Sequence, residues 1–329
     1  MWRRLLILGA ALMVVLCCEA QQAKPINVIF DTDMGPDYDD VGALTMLHAL
    51  EDKGEAKILG TMACTDYEGV GSVISLLNTY FKKPDIPVGI AKGANFVLKD
   101  ERHWTDSILQ KYPYTPMPNK SAPDAVNLYR KILSEQPDNS ITIITVGFLT
   151  NMASLLKSEA DEYSKLNGTE LVRKKVKSLV SMAGRFPEGS EYNINQYAAS
   201  AKYALDNFPV PVIMSGFEIG VKVLSGLPLI NNAAIKNSPV KDVYRICIKA
   251  RNEDKAGRMS WDQTAVLVAI RGHEKWYDLQ SGRIIVDEQG RNTWDNSGKG
   301  HSHLVEKASV AKVTKLINEL MMHTPRTKN

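Results

Sequence analysis

Asn27-Val28-Ile29-Phe30-Asp31-Thr32-Asp33-Met34-Gly35-Pro36-Asp37-Tyr38-Asp39-Asp40-Val41-Gly42-Ala43-Leu44 runs an apolar strand straight into five aspartates within ten residues, and then into a helix. In open α/β sheets, ligands bind beyond the carboxyl ends of the strands, which is where this motif would sit. Period-two geometry points Asp31 and Asp33 to the same side if the strand persists that far. Gly35 permits a turn, and Asp39 or Asp40 opens the helix, where free N–H groups favour a carboxylate.

The same alternation continues outward. Short aliphatic or β-branched runs at 26–30, 57–64, 141–146, 178–182 and 210–215 read as strands buried on both faces. Helical patterns follow them at 40–50, 71–81, 122–135, 149–156 and 198–207. Residues 284–294 read as a hairpin turning at Glu288-Gln289-Gly290, and 307–322 as an amphipathic closing helix. The expected fold is therefore α/β: an open, mostly parallel, doubly wound (Rossmann-like) sheet with helices on both faces and a C-terminal hairpin and helix. There is no internal repeat. The charge-rich stretch 157–177 reads as a solvated helix face and loop, and the four prolines of 112–123 as a surface loop.

Helix capping would need one aspartate, not five. Carboxylates this close repel one another unless a cation or several donors neutralise them. Oxygen-only donors suit a hard ion, calcium or magnesium, rather than zinc. A cation that lowers the pKa of water, beside a carboxylate that takes its proton, can hydrolyse a phosphate ester or a glycosidic bond.

Length and composition set the frame. The chain has 329 residues, 44% hydrophobic and 23% charged, with a net charge of +3. That suits a soluble globular protein and does not call for nucleic acid or an anionic membrane surface. Arg3 and Arg4, an apolar run at 5–17 and Cys18-Glu19-Ala20 read as a signal peptide cleaved after Ala20. The mature chain 21–329 is then a single α/β domain without a membrane span, exported to a periplasm or secreted. Lipid anchoring through Cys17 or Cys18 matches a lipobox poorly. Cys64 and Cys247 remain and are expected as two buried free thiols. Asn119-Lys120-Ser121 and Asn167-Gly168-Thr169 match glycosylation acceptor triplets.

Four blocks in order resemble the inosine/uridine-type nucleoside hydrolases. They are Asp31-Thr32-Asp33-Met34-Gly35 with Asp39-Asp40; Val146-Gly147-Phe148-Leu149-Thr150-Asn151; Met182-Ala183-Gly184 leading to Glu191-Tyr192-Asn193; and Ser260-Trp261-Asp262-Gln263-Thr264-Ala265. The resemblance spans about residues 25–325. It implies calcium-dependent hydrolysis of the N-glycosidic bond of a ribonucleoside or related N-riboside, and a homodimer or homotetramer. By the same resemblance, Asp33 is a calcium ligand and the general base toward the attacking water. Asp40, the carbonyl of Val146 and Asp262 complete the metal set. Asp39, Glu191 and Asn193 bind the sugar.

Three departures bear on the substrate. Pro36-Asp37-Tyr38 makes the first motif two residues longer than in the best-known members, leaving Asp37 a rival of Asp39. Trp261 stands where purine-using members place a His; it can stack on a planar leaving group but cannot donate a proton at neutral pH. His301 and His303, in Gly300-His301-Ser302-His303-Leu304, are candidates to assist the departing base. The block before Glu191 is short, and Asp66 stands where relatives often have a sugar-binding Asn. Two competing readings are a haloacid-dehalogenase-like phosphatase, which does not explain Asp39-Asp40 or Trp261-Asp262, and a calcium-dependent nucleoside-binding protein without turnover.

Overall fold

The computed structural model describes residues 24–93 and 99–325; the expected signal peptide lies outside them. Twelve strands follow in chain order: β1 Ile26–Thr32, β2 Ala56–Ala63, β3 Val88–Ile90, β4 Ile141–Thr145, β5 Val176–Met182, β6 Glu188–Ser190, β7 Val212–Ser215, β8 Leu224–Ser225, β9 Arg258–Met259, β10 Tyr277–Val286, β11 Arg291–Asp295 and β12 His301–Glu306. Ten of them form one sheet in the order β3-β2-β1-β4-β5-β7-β12-β10-β11-β6, while β8 and β9 pair separately. From β3 to β12 the neighbours are parallel; β10, β11 and β6 then add on antiparallel. The sheet is mostly parallel, as the sequence predicts.

Two hydrophobic cores explain the doubly wound reading. On β1, Val28 and Phe30 join one core and Ile29 the other. On β5, Val180 and Met182 face the first core and Leu179 the second. Alternate residues of one strand are buried on opposite faces, so these strands are apolar throughout rather than every second residue. The helix Asp39–Asp52 covers the first face and Ala125–Glu135 the second.

The structure adds elements absent from the sequence reading. They include the helices Trp104–Lys111 and Pro239–Ala250, and strand β12, which joins the hairpin to the parallel sheet. Within the charge-rich stretch, the helix Gly168–Lys175 starts at a capping box between Asn167 and Glu170. Asn119 donates its side-chain amide to the carbonyls of Asp66 (2.7 Å) and Tyr67 (2.9 Å). Both triplet asparagines therefore hold the chain's own backbone. Cys64 and Cys247 are free and buried. No helix among the described residues is long and apolar enough to cross a membrane.

Candidate active site

Strand β1 ends at Thr32, and that ending separates the two aspartates around it. Asp31 turns toward the second core, where its Oδ2 accepts from Tyr129 (2.8 Å) and Asn151 (3.0 Å). Asp33 lies past the strand and lines a cavity. The same-side expectation fails because pleating stops one residue too early. Thr32 ties the strand end to the following helix: its hydroxyl donates to Asp40 and accepts from the N–H of Met34. Gly35 takes φ +148°, and a Cβ there would come within 2.5 Å of the Tyr67 ring. Beside it, a Cβ at Gly147 would come within 2.5 Å of the backbone nitrogen of Asp33, so only glycine lets the ends of β1 and β4 approach so closely.

The cavity measures about 420 Å³ and sits beyond the carboxyl ends of the parallel strands. Asp33, Asp37, Asp39 and Asp40 line it from the first motif, and Val146 follows β4. Glu191 and Asn193 follow β6, Phe217 follows β7, and Arg258, Trp261 and Asp262 close the remaining side. Of the residues expected from sequence, Asp66, His301 and His303 do not line it. Asp66 lies in the loop after β2. His301 begins β12 opposite Val212, the first residue of β7, and so stands at the amino end of the parallel strands, away from the cavity. Its Nδ1 accepts from the N–H of Ile284, and burial pushes its imidazole down to about 4.

Carboxylate oxygens of Asp39, Asp40 and Asp262 lie within 4.8 Å of one another, all buried. Burial, then the charge of Asp39, pushes Asp40 up to about 8. Burial and the charges of Asp39, Asp40 and Asp33 hold Asp262 well above the usual carboxylate range. Asp33 is raised in the same way, by burial and then by Asp40. Carboxyls raised by burial and then by one another's charge mark a place where a cation would be welcome. The donors are all oxygen, which fits a hard dication. Asp39 differs from the others: Arg258 donates to its Oδ1 through Nε (3.2 Å) and an Nη (2.8 Å). Nothing in the sequence pattern singled out Arg258, one of several basic residues in the polar segment 249–258.

Glu191 and Asn193 form a clasp at one end of the cavity. The carboxylate of Glu191 accepts from the N–H groups of Asn193 (2.8 Å) and Gly184 (3.1 Å), and burial pushes it up to about 7. Asn193 donates its amide to the carbonyls of Val146 (2.9 Å) and Met182 (3.1 Å), joining the ends of β4 and β5. A carbonyl oxygen has two lone pairs, so Val146 keeps one for another partner. Trp261 donates its indole N–H to the carbonyl of Phe217 (2.9 Å), and the two rings lie 5.3 Å apart.

The family model for inosine-uridine preferring nucleoside hydrolases matches residues 28–319. The chain belongs to this family. Solved structures of nucleoside hydrolases share its fold. A plant nucleoside hydrolase superposes with a TM-score of 0.69 at 18% identity, covering 91% of this chain and 99% of the other. A purine-preferring ribonucleoside hydrolase from Gardnerella vaginalis gives 0.68 at 18%, covering 90% and 99%. An inosine-uridine preferring nucleoside hydrolase from Bacillus anthracis gives 0.67 at 17%, again covering 90% and 99%. A comparison with curated proteins finds no match. This nucleoside hydrolase is thus an N-glycosyl hydrolase acting on small nucleoside-type substrates, of a metal-dependent family, and it carries an acidic cluster suited to a cation. The phosphatase reading falls with that assignment.

Proposed function

We propose that the protein hydrolyses the N-glycosidic bond of a ribonucleoside or related N-riboside with calcium, releasing ribose and the free base. The observation that carries this reading is the meeting of Asp39, Asp40 and Asp262 beside Asp33, from opposite ends of the chain, at the carboxyl edge of the sheet. In this reading Asp33, Asp40, Asp262 and the carbonyl of Val146 hold the cation. Asp39 is left to the sugar, because Arg258 already engages one of its oxygens. When bound, the cation lowers the pKa of water beside it and fixes where that water stands.

Asp33 takes the proton as the water's oxygen attacks the anomeric carbon. The carbon–nitrogen bond breaks with its electron pair going to the base. Positive charge growing on the ribose is stabilised by the surrounding carboxylates. Asp39, Glu191 and Asn193 accept or donate to the sugar hydroxyls and fix the ring against Asp33. Trp261, braced against Phe217, stacks on the departing base. Export after cleavage at Ala20, and self-association, complete the proposal on sequence grounds.

The test is a product screen: the mature protein with calcium and a panel of nucleosides, scored for free ribose and free base. Release from one or more members is expected. A protein that binds calcium tightly and releases ribose from none of them would overturn the reading.

A further inference from the structure

Arg258 is buried, with its side chain 2% exposed, and among the described residues it is the one Arg or Lys bonded to the carboxylates of the first motif. A buried guanidinium is costly unless its charge is matched and its N–H groups are used. Here the matching groups come from the motif itself and from the neighbouring turn. Arg258 pairs with Asp37, donates twice to Oδ1 of Asp39, and lies 3.9 Å from Asp254. Asp254 in turn accepts from the hydroxyl of Tyr38 (2.7 Å), and the guanidinium lies 5.0 Å from the Tyr38 ring centroid and 5.1 Å from that of Trp261. Asp37 and Tyr38 belong to the stretch Pro36-Asp37-Tyr38 that lengthens the motif. The extra length supplies partners for this arginine.

Both bonds to Asp39 fall on the same oxygen, so Oδ2 is left without a bond from Arg258. We propose that Arg258 is a positioning residue: it holds Asp39 by Oδ1 and turns Oδ2 toward the sugar. This rests on the nucleoside hydrolase reading of the cavity. Arg258 also places a fixed positive charge beside the three clustered carboxylates, so it opposes binding of a second positive charge there. It therefore gives up some cation affinity in return for a sugar-binding carboxylate of fixed orientation.

The experiment follows two readouts in Arg258→Met and Arg258→Lys, with Asp39→Asn and the double variant Asp39→Asn/Arg258→Met. Calcium chloride is titrated into chelator-treated protein by calorimetry, and KM and kcat are measured with inosine and uridine. Removing the charge in Arg258→Met is expected to tighten calcium binding by about tenfold. KM is expected to rise by about tenfold or more with a smaller change in kcat. Arg258→Lys keeps the charge but loses the fork, so calcium affinity stays near wild type while KM still rises. In the Asp39→Asn background, Arg258→Met should add little further to KM.

Calcium binding in Arg258→Met that is unchanged or weaker than wild type overturns the proposal, and so do KM effects that simply add in the double variant. A merely structural arginine would weaken both calcium and substrate. If wild-type protein releases ribose from no nucleoside of the panel, the functional reading fails on its own. The calcium titration then still tests the effect of the guanidinium charge on the carboxylate cluster independently.

Discussion

Asn151 donates its side-chain amide to Oδ2 of Asp31 across 3.0 Å, joining two motif residues that never face the cavity. The same amide donates to the carbonyl of Ala63 (3.2 Å), and Tyr129 donates to the same carboxyl oxygen (2.8 Å). The pair braces the ends of β1, β2 and β4 from behind. Asn151→Ala removes two buried hydrogen bonds while Tyr129 still donates to Asp31 and the Ala91 N–H to the Ala63 carbonyl, so it should cost roughly 1–2 kcal/mol of stability. Urea unfolding checks this, and an unchanged midpoint would refute it.

Asp33 is the assigned base. Asp33→Asn keeps the shape and removes the proton acceptor, so kcat should fall by about 10²–10⁴-fold. Asp262→Asn weakens one cation ligand, so its first effect should be a weaker calcium affinity. Calorimetry on both variants separates the two roles; wild-type turnover in Asp33→Asn would end the assignment.

Cation removal should destabilise the fold. The buried carboxyls of Asp33, Asp40 and Asp262 repel one another, and an ion bound only by the native state adds about 2.7 kcal/mol at a hundred times its Kd. Melting should therefore shift upward by several degrees with calcium and back again with a chelator. Zinc should substitute poorly for an all-oxygen donor set.

Acid sensitivity should arise far from the cavity. His48 is fully buried, stacked on Phe81 at 4.5 Å, with its Nε2 3.0 Å from Oδ1 of Asn78; burial pushes it down from 6.5 to about 3. Between those values the unfolded chain binds the extra proton and the native chain does not. Its contribution is thus complete above pH 6.5 and is lost as the pH falls toward 3, by at most about 1.4 kcal/mol per pH unit. Unfolding free energies at pH 7 and pH 5 for wild type and His48→Gln test this: the variant should show the smaller loss. His301, lowered to about 4, adds to the slope in the same direction.

Trp261 is held in one orientation. Its N–H is engaged by Phe217, and a Cβ on Gly220 would lie 2.3 Å from its Cα. Stacking on a base is worth about 1–3 kcal/mol. Trp261→Ala should therefore impair nucleosides with aromatic bases about ten- to a hundredfold. An equal loss on an activated riboside with a non-aromatic leaving group would remove stacking from the mechanism.

The strands of the parallel sheet were legible because burial on both faces leaves uninterrupted apolar runs, as at β1 and β4. The three-residue strands β3 and β6 are too short to show a period. The helix Pro239–Ala250 did carry a readable signal, a Ser238 cap with proline at its first position. Most of the cavity was legible because its residues sit in the quoted motifs. His301 misled because a Gly-His-Ser-His stretch shows chemistry but not which end of a strand it occupies. Arg258 was invisible because its role is set by partners more than two hundred residues away.

Strand β6 pairs with β11 at the outer margin of the sheet, yet the very next residue, Glu191, belongs to the cavity. The main chain thus makes a detour from Met182 out to the hairpin and back, clipped to it by the two bonds between Arg185 and Asn292. Where Glu191 stands depends on a rail built roughly a hundred residues later. A chain of this architecture can retune the Glu191 end of its pocket by reshaping that margin, leaving every aspartate of the opening motif untouched.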